Sequence, residues 1–300
     1  MYRIIKNSWI WFSLSIALGV ISIAAICIFG LRFGIDYKGG TVIEFTSGQG
    51  SALDLAKSAI DSQKYSDYQI KPSGNSAYQI RIETLTNEQH NALTSGLKSK
   101  ISDYSETEYS TVGPVVSHDL TVKSIWAVVL ASLGIIIFVA FAFRKVPKPL
   151  SSWKFGVCAV VALIHDLLIT TGFVAVMGHF FVWMQADALF ITALLTIMGF
   201  SVHDTIVVYD RLRENFIKNP HEDIALSAEE SINQTIVRSI NTSMTTIIVL
   251  VALLVFGSPS IRHFVAILTF GIVIGTYSSI FNATPLLVVW QKKSLKAAKN

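Results

Sequence analysis

Six apolar stretches, each about as long as a bilayer's hydrocarbon core is thick, decide what this chain can fold into. They are Trp9–Gly30, Val122–Phe143, Phe155–Met177, Ala188–Tyr209, Ile236–Phe256 and Phe264–Trp290. A helix of roughly 20 residues crosses a core of about 30 Å. Only 15% of the residues are charged and 52% are hydrophobic, against about 25% charged in soluble domains. The chain therefore reads as an α-helical integral membrane protein with six transmembrane helices. The first stretch exceeds the roughly 7–15 apolar residues of a signal peptide, and no small-x-small site follows before Arg32. It reads as an uncleaved anchor.

Lys and Arg in short connections set orientation. One side collects Arg3, Lys6, Arg144, Lys145, Lys148 and Lys154, then Arg211, Arg213, Lys218, Lys292, Lys293, Lys296 and Lys299. The other side has no Lys or Arg in 178–187 and only Arg262 in 257–263. Both termini are expected in the cytoplasm. This asymmetry accounts for the net charge of +4 and gives no reason to invoke nucleic acid. Cys27 and Cys158 lie far apart in apolar stretches, which implies neither a disulfide nor a metal framework.

The expected organisation is a cytoplasmic N-terminus with helix one (1–31), an extracytoplasmic domain (32–120), five further helices (121–291) and a basic tail (292–300). The polar insertion carries 11 acids against 8 bases, compatible with translocation. Its pattern predicts strands at Thr41–Thr46, Tyr68–Pro72, Ala77–Glu83 and Tyr104–Val112, with helices at Ser51–Gln63 and Asn87–Ile101. Ser73-Gly74-Asn75 supplies hairpin chemistry and Thr86 an N-cap. The order βαββαβ is that of a ferredoxin-like α+β domain. Pro147 and Pro149 break the link between helices two and three. The segment 210–235 is amphipathic, and reads either as a surface helix or as a solvated connector helix.

Asp204 lies within the fourth stretch, six residues before the charged cluster Asp210–Asn215. A carboxylate near the bilayer centre costs on the order of 2.5–3.5 kcal/mol, so an acid kept there is a candidate protonation switch. Helix five carries Gln234, Thr235, Arg238, Asn241, Thr242 and Thr245 at helical spacing, a polar stripe unsuited to lipid. Arg238 and Asp204 are expected to meet in the cytoplasmic half of the bundle. Burial favours the neutral acid, whereas a nearby guanidinium favours the carboxylate. The alternatives are a static ion pair that fixes helix packing, or an Arg238 that snorkels to the interface. Asp166, near the middle of helix three, either belongs to the same relay or orients a neighbouring helix. His165 and His203 each precede one of these acids and, with Asn241 and Thr242, are possible accessory groups of the relay, though packing is the favoured role for both histidines. No HExxH, CxxC, GxGxxG or Walker-type pattern occurs, so no metal or cofactor is expected. The Gly271/Gly275 spacing suits close helix packing.

Four segments together carry a resemblance: FGIDYKGGTVIEF (Phe33–Phe45), TVGPVVSHDL (Thr111–Leu120), GFSVHDTIVVYDRLREN (Gly199–Asn215) and SINQTIVRSINTSMTT (Ser231–Thr246). In this order, with six helices and one external domain, the chain resembles the SecF branch of the SecD/SecF family of bacterial protein-export membrane proteins. That family is distantly akin to the resistance-nodulation-division exporters. The resemblance places Asp204 on the proton-carrying acid, Arg238 on its basic partner and Asp166 within the His-Asp element of helix three. It departs at His203, where the family often has Asn, and at Phe200, commonly Tyr.

The resemblance implies a non-enzymatic subunit of the bacterial cytoplasmic membrane that uses protons to promote late protein translocation. Its implied partners are a SecD-like six-helix subunit, the Sec channel and the unfolded polypeptide in transit. Half of a proton-coupled small-molecule or lipid exporter is the rival reading. An external domain of only about 90 residues argues against it. An intramembrane protease lacks the signatures that would surround Asp166 and Asp204.

Overall fold

A computed structural model of the chain describes residues 3–65, 67–74, 76–144, 146, 150–219 and 223–297. Lys145, Pro147, Lys148, Pro149, Asn75, Glu222 and Lys299 lie outside the described residues, and with them the expected proline break. The side chain of Lys296 is likewise not described. Among the described residues, six helices are long and apolar enough to cross a membrane. They are α1 (Ser8–Phe29), α5 (Pro114–Ala142), α6 (Ser152–Phe180), α7 (Ala188–Lys218), α8 (Ile224–Phe256) and a last span of α9 (Arg262–Ser278) and α10 (Thr284–Ala297). Between α1 and α5 come α2 (Ile35–Lys38), β1 (Gly40–Thr46), α3 (Ala52–Ser62), β2 (Tyr68–Gly74), β3 (Ala77–Ile82), α4 (Asn87–Lys100) and β4 (Ser105–Val112).

The chain divides into two compact units. One takes Leu31–Ile125 together with Met177–Ala188; the other takes the remainder. The first differs from the expected 32–120 domain by recruiting the link between α6 and α7. Backbone hydrogen bonds make that union: Ala186 N to Arg32 O at 2.7 Å and Gly34 N to Ala186 O at 2.8 Å. Asp36 Oδ2 accepts from Ala188 N at 2.8 Å, at the start of α7. Tyr37 OH donates to Asp187 O at 3.1 Å. Gly39 and Gly40 both have positive φ (72° and 118°), and a Cβ on Gly40 would sit 2.8 Å from Ile82 O. The GG segment is thus a tight entry into β1.

The sheet is antiparallel in the order β2-β3-β1-β4, the ferredoxin-like arrangement. Alternation puts Ile43, Phe45, Ile80 and Ile82 on one face, where they pack on Ala56, Ile60, Leu93 and Leu97 of α3 and α4. Thr86 caps α4 through a capping box with Gln89.

In the helical unit, α6, α7 and the last span are inner helices, each half buried over its apolar window, whereas α5 is only 6% buried. Phe143, Phe155 and Tyr209 pack ring on ring, with centroids 5.0 Å apart for Phe143–Phe155 and for Phe155–Tyr209. Pro285 has no N–H to give to the preceding turn, and just before it the last span widens into a π turn, Ser279–Ala283. The segment 210–235 is neither a surface helix nor a connector helix. Its described parts continue α7 to Lys218 and begin α8 at Ile224, because charged side chains end a membrane span without ending a helix. Asn215 Nδ2 ties the two by donating to Ser231 Oγ at 2.9 Å.

Close approach holds α1 on α6. A Cβ on Gly172 would meet Ser22 Cβ at 2.4 Å and Ser22 Cα at 2.7 Å, whereas nothing lies within 4 Å of one on Gly134. Gly172→Val is expected to lower stability by about 1–3 kcal/mol and Gly134→Val to leave it unchanged. Thermal unfolding of the detergent-solubilised variants checks this.

Candidate functional site

Asp166 and Asp204 come to the bundle interior on neighbouring inner helices, and their surroundings differ sharply. Asp166 on α6 is wholly buried. Ser201 Oγ of α7 and Ser278 Oγ of α9 each donate to its Oδ2 at 2.6 Å. His165 Nδ1 lies 3.0 Å from its Oδ1, a contact that uses the Nδ1–H tautomer. Of its two expected roles, accessory group or packing, His165 thus has the contact that the first requires. The network continues outward. Asn282 Nδ2 of the π turn is 3.4 Å from His165 Nε2, and Ser15 Oγ of α1 donates to Asn282 Oδ1 at 2.8 Å.

Asp204 on α7 is 5% exposed, yet its hydrogen bonding is sparse. Ser243 Oγ of α8 donates to Oδ2 at 3.3 Å, and Thr276 Oγ1 of α9 donates to Ser243 Oγ at 2.6 Å. A carboxylate offers about four lone-pair sites; among the described residues this one is served only by two hydroxyls, Ser243 at 3.3 Å and Thr276 beside it. The two acids share their neighbours. Ser201 stands three residues before Asp204 on α7, and Thr276 two before Ser278 on α9. Gly275 permits the approach, since a Cβ there would lie 3.1 Å from Ser201 Cβ. Gly271 does the same against Ile197, in keeping with a packing role.

The expected meeting of Arg238 with Asp204 is absent from this structure. Arg238 is exposed, as are Asn241, Thr242 and Thr245, and no ion pair joins Arg238 to Asp204 among the described residues. Gln234 is exposed as well and accepts from Asn215 Nδ2 at 3.0 Å. Only Thr235 of that stripe is buried, donating to Ser231 O at 2.8 Å. The inner face of α8 is built instead from Ser231, Thr235, Ser239 and Ser243, a small hydroxyl set at intervals of four. Serine carries little signal in a hydropathy pattern, so the face that meets Asp204 was not read from the sequence. His203 is exposed, 100° or so around α7 from Asp204.

The protein-export membrane protein SecD/SecF C-terminal family matches residues 92–293, and the SecD/SecF GG motif matches 24–50. The chain belongs to the SecD/SecF family. The protein translocase subunit SecF of Thermobaculum terrenum is 41% identical over 98% of this chain and 95% of its own length. That of Anaerolinea thermophila is 36% identical over 97% and 94%. A crystal structure of SecDF from Thermus thermophilus, a translocon-associated membrane protein, superposes with a TM-score of 0.84 at 27% identity, over 97% of this chain and 39% of that one. SecDF in a super-membrane-facing form gives 0.68 at 25% identity, over 40% of its chain. The present chain thus spans about two-fifths of those solved chains. Family and six spans together make it a multi-pass membrane protein of the Sec export system.

Because Ser201 and Ser278 serve one carboxylate oxygen, their losses are coupled. Ser201→Ala and Ser278→Ala are each expected to destabilise by about 1–3 kcal/mol. The double variant should depart from additivity by roughly 0.5 kcal/mol or more. A double-mutant cycle on thermal unfolding reads this directly; additive losses would show that the two hydroxyls act separately.

Proposed function

We propose that the chain uses the proton-motive force to promote late protein translocation, paired in the bacterial cytoplasmic membrane with a SecD-like six-helix partner. Both termini are cytoplasmic in this reading. The sheet unit is extracytoplasmic and meets the unfolded polypeptide leaving the Sec channel, with β2 and β4 as the sheet edges open to strand addition. The role is transport, with no catalytic chemistry.

The observation that carries the proposal is the sparse hydrogen bonding of Asp204. Asp166 has three donors and is suited to a fixed structural charge or a relay member. Asp204 is met, among the described residues, only by the Ser243 hydroxyl at a long 3.3 Å and by that of Thr276, so protonation or an approaching cation changes its environment most. Arg238, away from it in this structure, supplies that cation when α8 and α7 shift. One charge moving across 100 mV releases about 2.3 kcal/mol, enough to bias a two-state arrangement if the two states bind the proton unequally. The partner is supported by α8. Its outward stripe of Arg238, Asn241, Thr242 and Thr245 does not suit lipid, and a second set of helices would cover it.

Asp204→Asn keeps the shape of the side chain and removes its titration. It is expected to abolish gradient-dependent export while leaving expression and thermal unfolding near wild type. Export assayed in inverted vesicles, with ion flux measured across a pH gradient and then a sodium gradient, tests both the carrier and the ion. Normal export by a stable Asn variant would remove Asp204 from the mechanism.

Arg238→Lys keeps the charge, loses the planar fork and adds a group that sheds its proton when desolvated. Impaired coupling with a changed pH profile of flux is expected. Equal flux from Lys and Arg at every pH would show that geometry at this position is unimportant.

A further inference from the structure

The sheet unit holds a cleft of about 500 Å³ on the side of the sheet away from α3 and α4. Its charged lining is Arg32, Lys38, Lys71 and Arg81 against Asp67 and Glu83. The strand register explains the crowding of cations. Gln69 is opposite Arg81 and Lys71 opposite Gln79, so Lys71 and Arg81 are diagonal neighbours, about 7–8 Å apart. Arg81 donates to Phe33 O at 3.1 Å and to Gln185 Oε1 at 2.5 Å, both neutral acceptors. Among the described residues, no acid forms an ion pair with Arg32, Lys38, Lys71 or Arg81. Burial, then Arg32 and Arg81, hold the Lys71 ammonium below its ordinary range. Burial and Arg32 act likewise on Arg81. Glu44, on the same sheet face, is outside the cleft lining and accepts from Gln79 Nε2 at 2.7 Å. Four bases against two acids leave the lining net positive, and Arg32, Lys71 and Arg81 are half-buried without an ion pair among the described residues, which makes a site for an anion.

Chain connectivity fixes the depth of this cleft. Leu31 is two residues past the end of α1, Val182 two past the end of α6, and Pro114 opens α5. At no more than about 3.6 Å per residue, Leu31 and Val182 stay within or beside the headgroup layer, roughly 5–8 Å deep on each side of the core. Exposed Phe33, Phe180 and Phe181 flank them, aromatic side chains of the kind that settle at that level.

We infer that this cleft binds the phosphate of an anionic phospholipid headgroup, from the leaflet on the sheet unit's side, between Arg32, Lys71 and Arg81. A phosphodiester there presents oxygens to a guanidinium and an ammonium at once, and its acyl chains pass beside the exposed phenylalanines into the core. The inference does not depend on proton coupling; it uses only the six spans and the cleft.

The test is lipid binding to the purified full chain in neutral detergent, followed by native mass spectrometry. The probes are phosphatidylglycerol, phosphatidylcholine, inorganic phosphate and an acidic peptide. Phosphatidylglycerol should be retained over phosphatidylcholine. Arg32→Gln and Lys71→Gln should each weaken that retention roughly tenfold or more, without lowering the melting temperature, while Lys57→Gln on α3 changes nothing. Both primary variants avoid Arg81, whose loss would disturb its bonds to Phe33 and Gln185. Equal retention of the two lipids, or unchanged phosphatidylglycerol binding in both cleft variants, would overturn the inference. So would inorganic phosphate binding as tightly as phosphatidylglycerol, which marks a soluble-anion site. An acidic peptide that binds where phosphatidylglycerol does not would overturn it too, since that marks a polypeptide site.

Discussion

Asp166 fastens the inner bundle. With no water in the core to solvate it, its carboxylate must find every donor inside the protein. It finds Ser201 on α7, Ser278 on α9 and His165 on its own helix. Three inner spans are thereby held in one register around a single buried group. Gly275 lets α9 come near enough to α7 for this to close. The network then runs through Asn282 to Ser15 on α1, so the π turn before Pro285 belongs to the same construction.

Asp204 depends on that frame. It stands one helical turn along α7 from Ser201, so its position is set by the contacts Asp166 makes. Among the described residues its bonding comes from the hydroxyls of Ser243 and Thr276, the first on a helix whose opposite face is polar and exposed. One acid is thus fully bonded and the other is open to change, on the same pair of helices. On the proposed function, this division separates holding from switching. In that proposal, a rigid network positions a group whose protonation alters how α8 sits against α7, and through α8 the seam proposed for a second set of helices.

The six spans and the βαββαβ domain were legible in the sequence because length and alternation are local signals. Thr86 was legible as a cap for the same reason, and the segments Gly199–Asn215 and Ser231–Thr246 carried the family. Three features were not. The charged stretch after Asp210 read as a surface helix or a connector helix, since hydropathy reports the membrane and not the helix, and α7 and α8 both continue beyond the apolar core. The rotation of α8 about its axis was hidden too. Offsets placed Arg238 on one face with Asn241 and Thr242 but could not say which face meets α7, and the answer came from Ser239 and Ser243, which patterns pass over. The union of 32–37 with 186–188 is a long-range pairing through backbone atoms and Asp36, with no signature in either segment alone.

The central claim is that Asp204 exchanges a proton while the chain stays folded. Infrared difference spectroscopy of the membrane-reconstituted chain across a pH titration addresses it most directly, because a carboxylic acid and a carboxylate absorb at distinct frequencies. The account predicts a carboxylic-acid band that rises and falls with pH in the wild type and is missing from Asp204→Asn. A titrating band that survives that substitution unchanged would contradict the account and move the exchanging proton to another group.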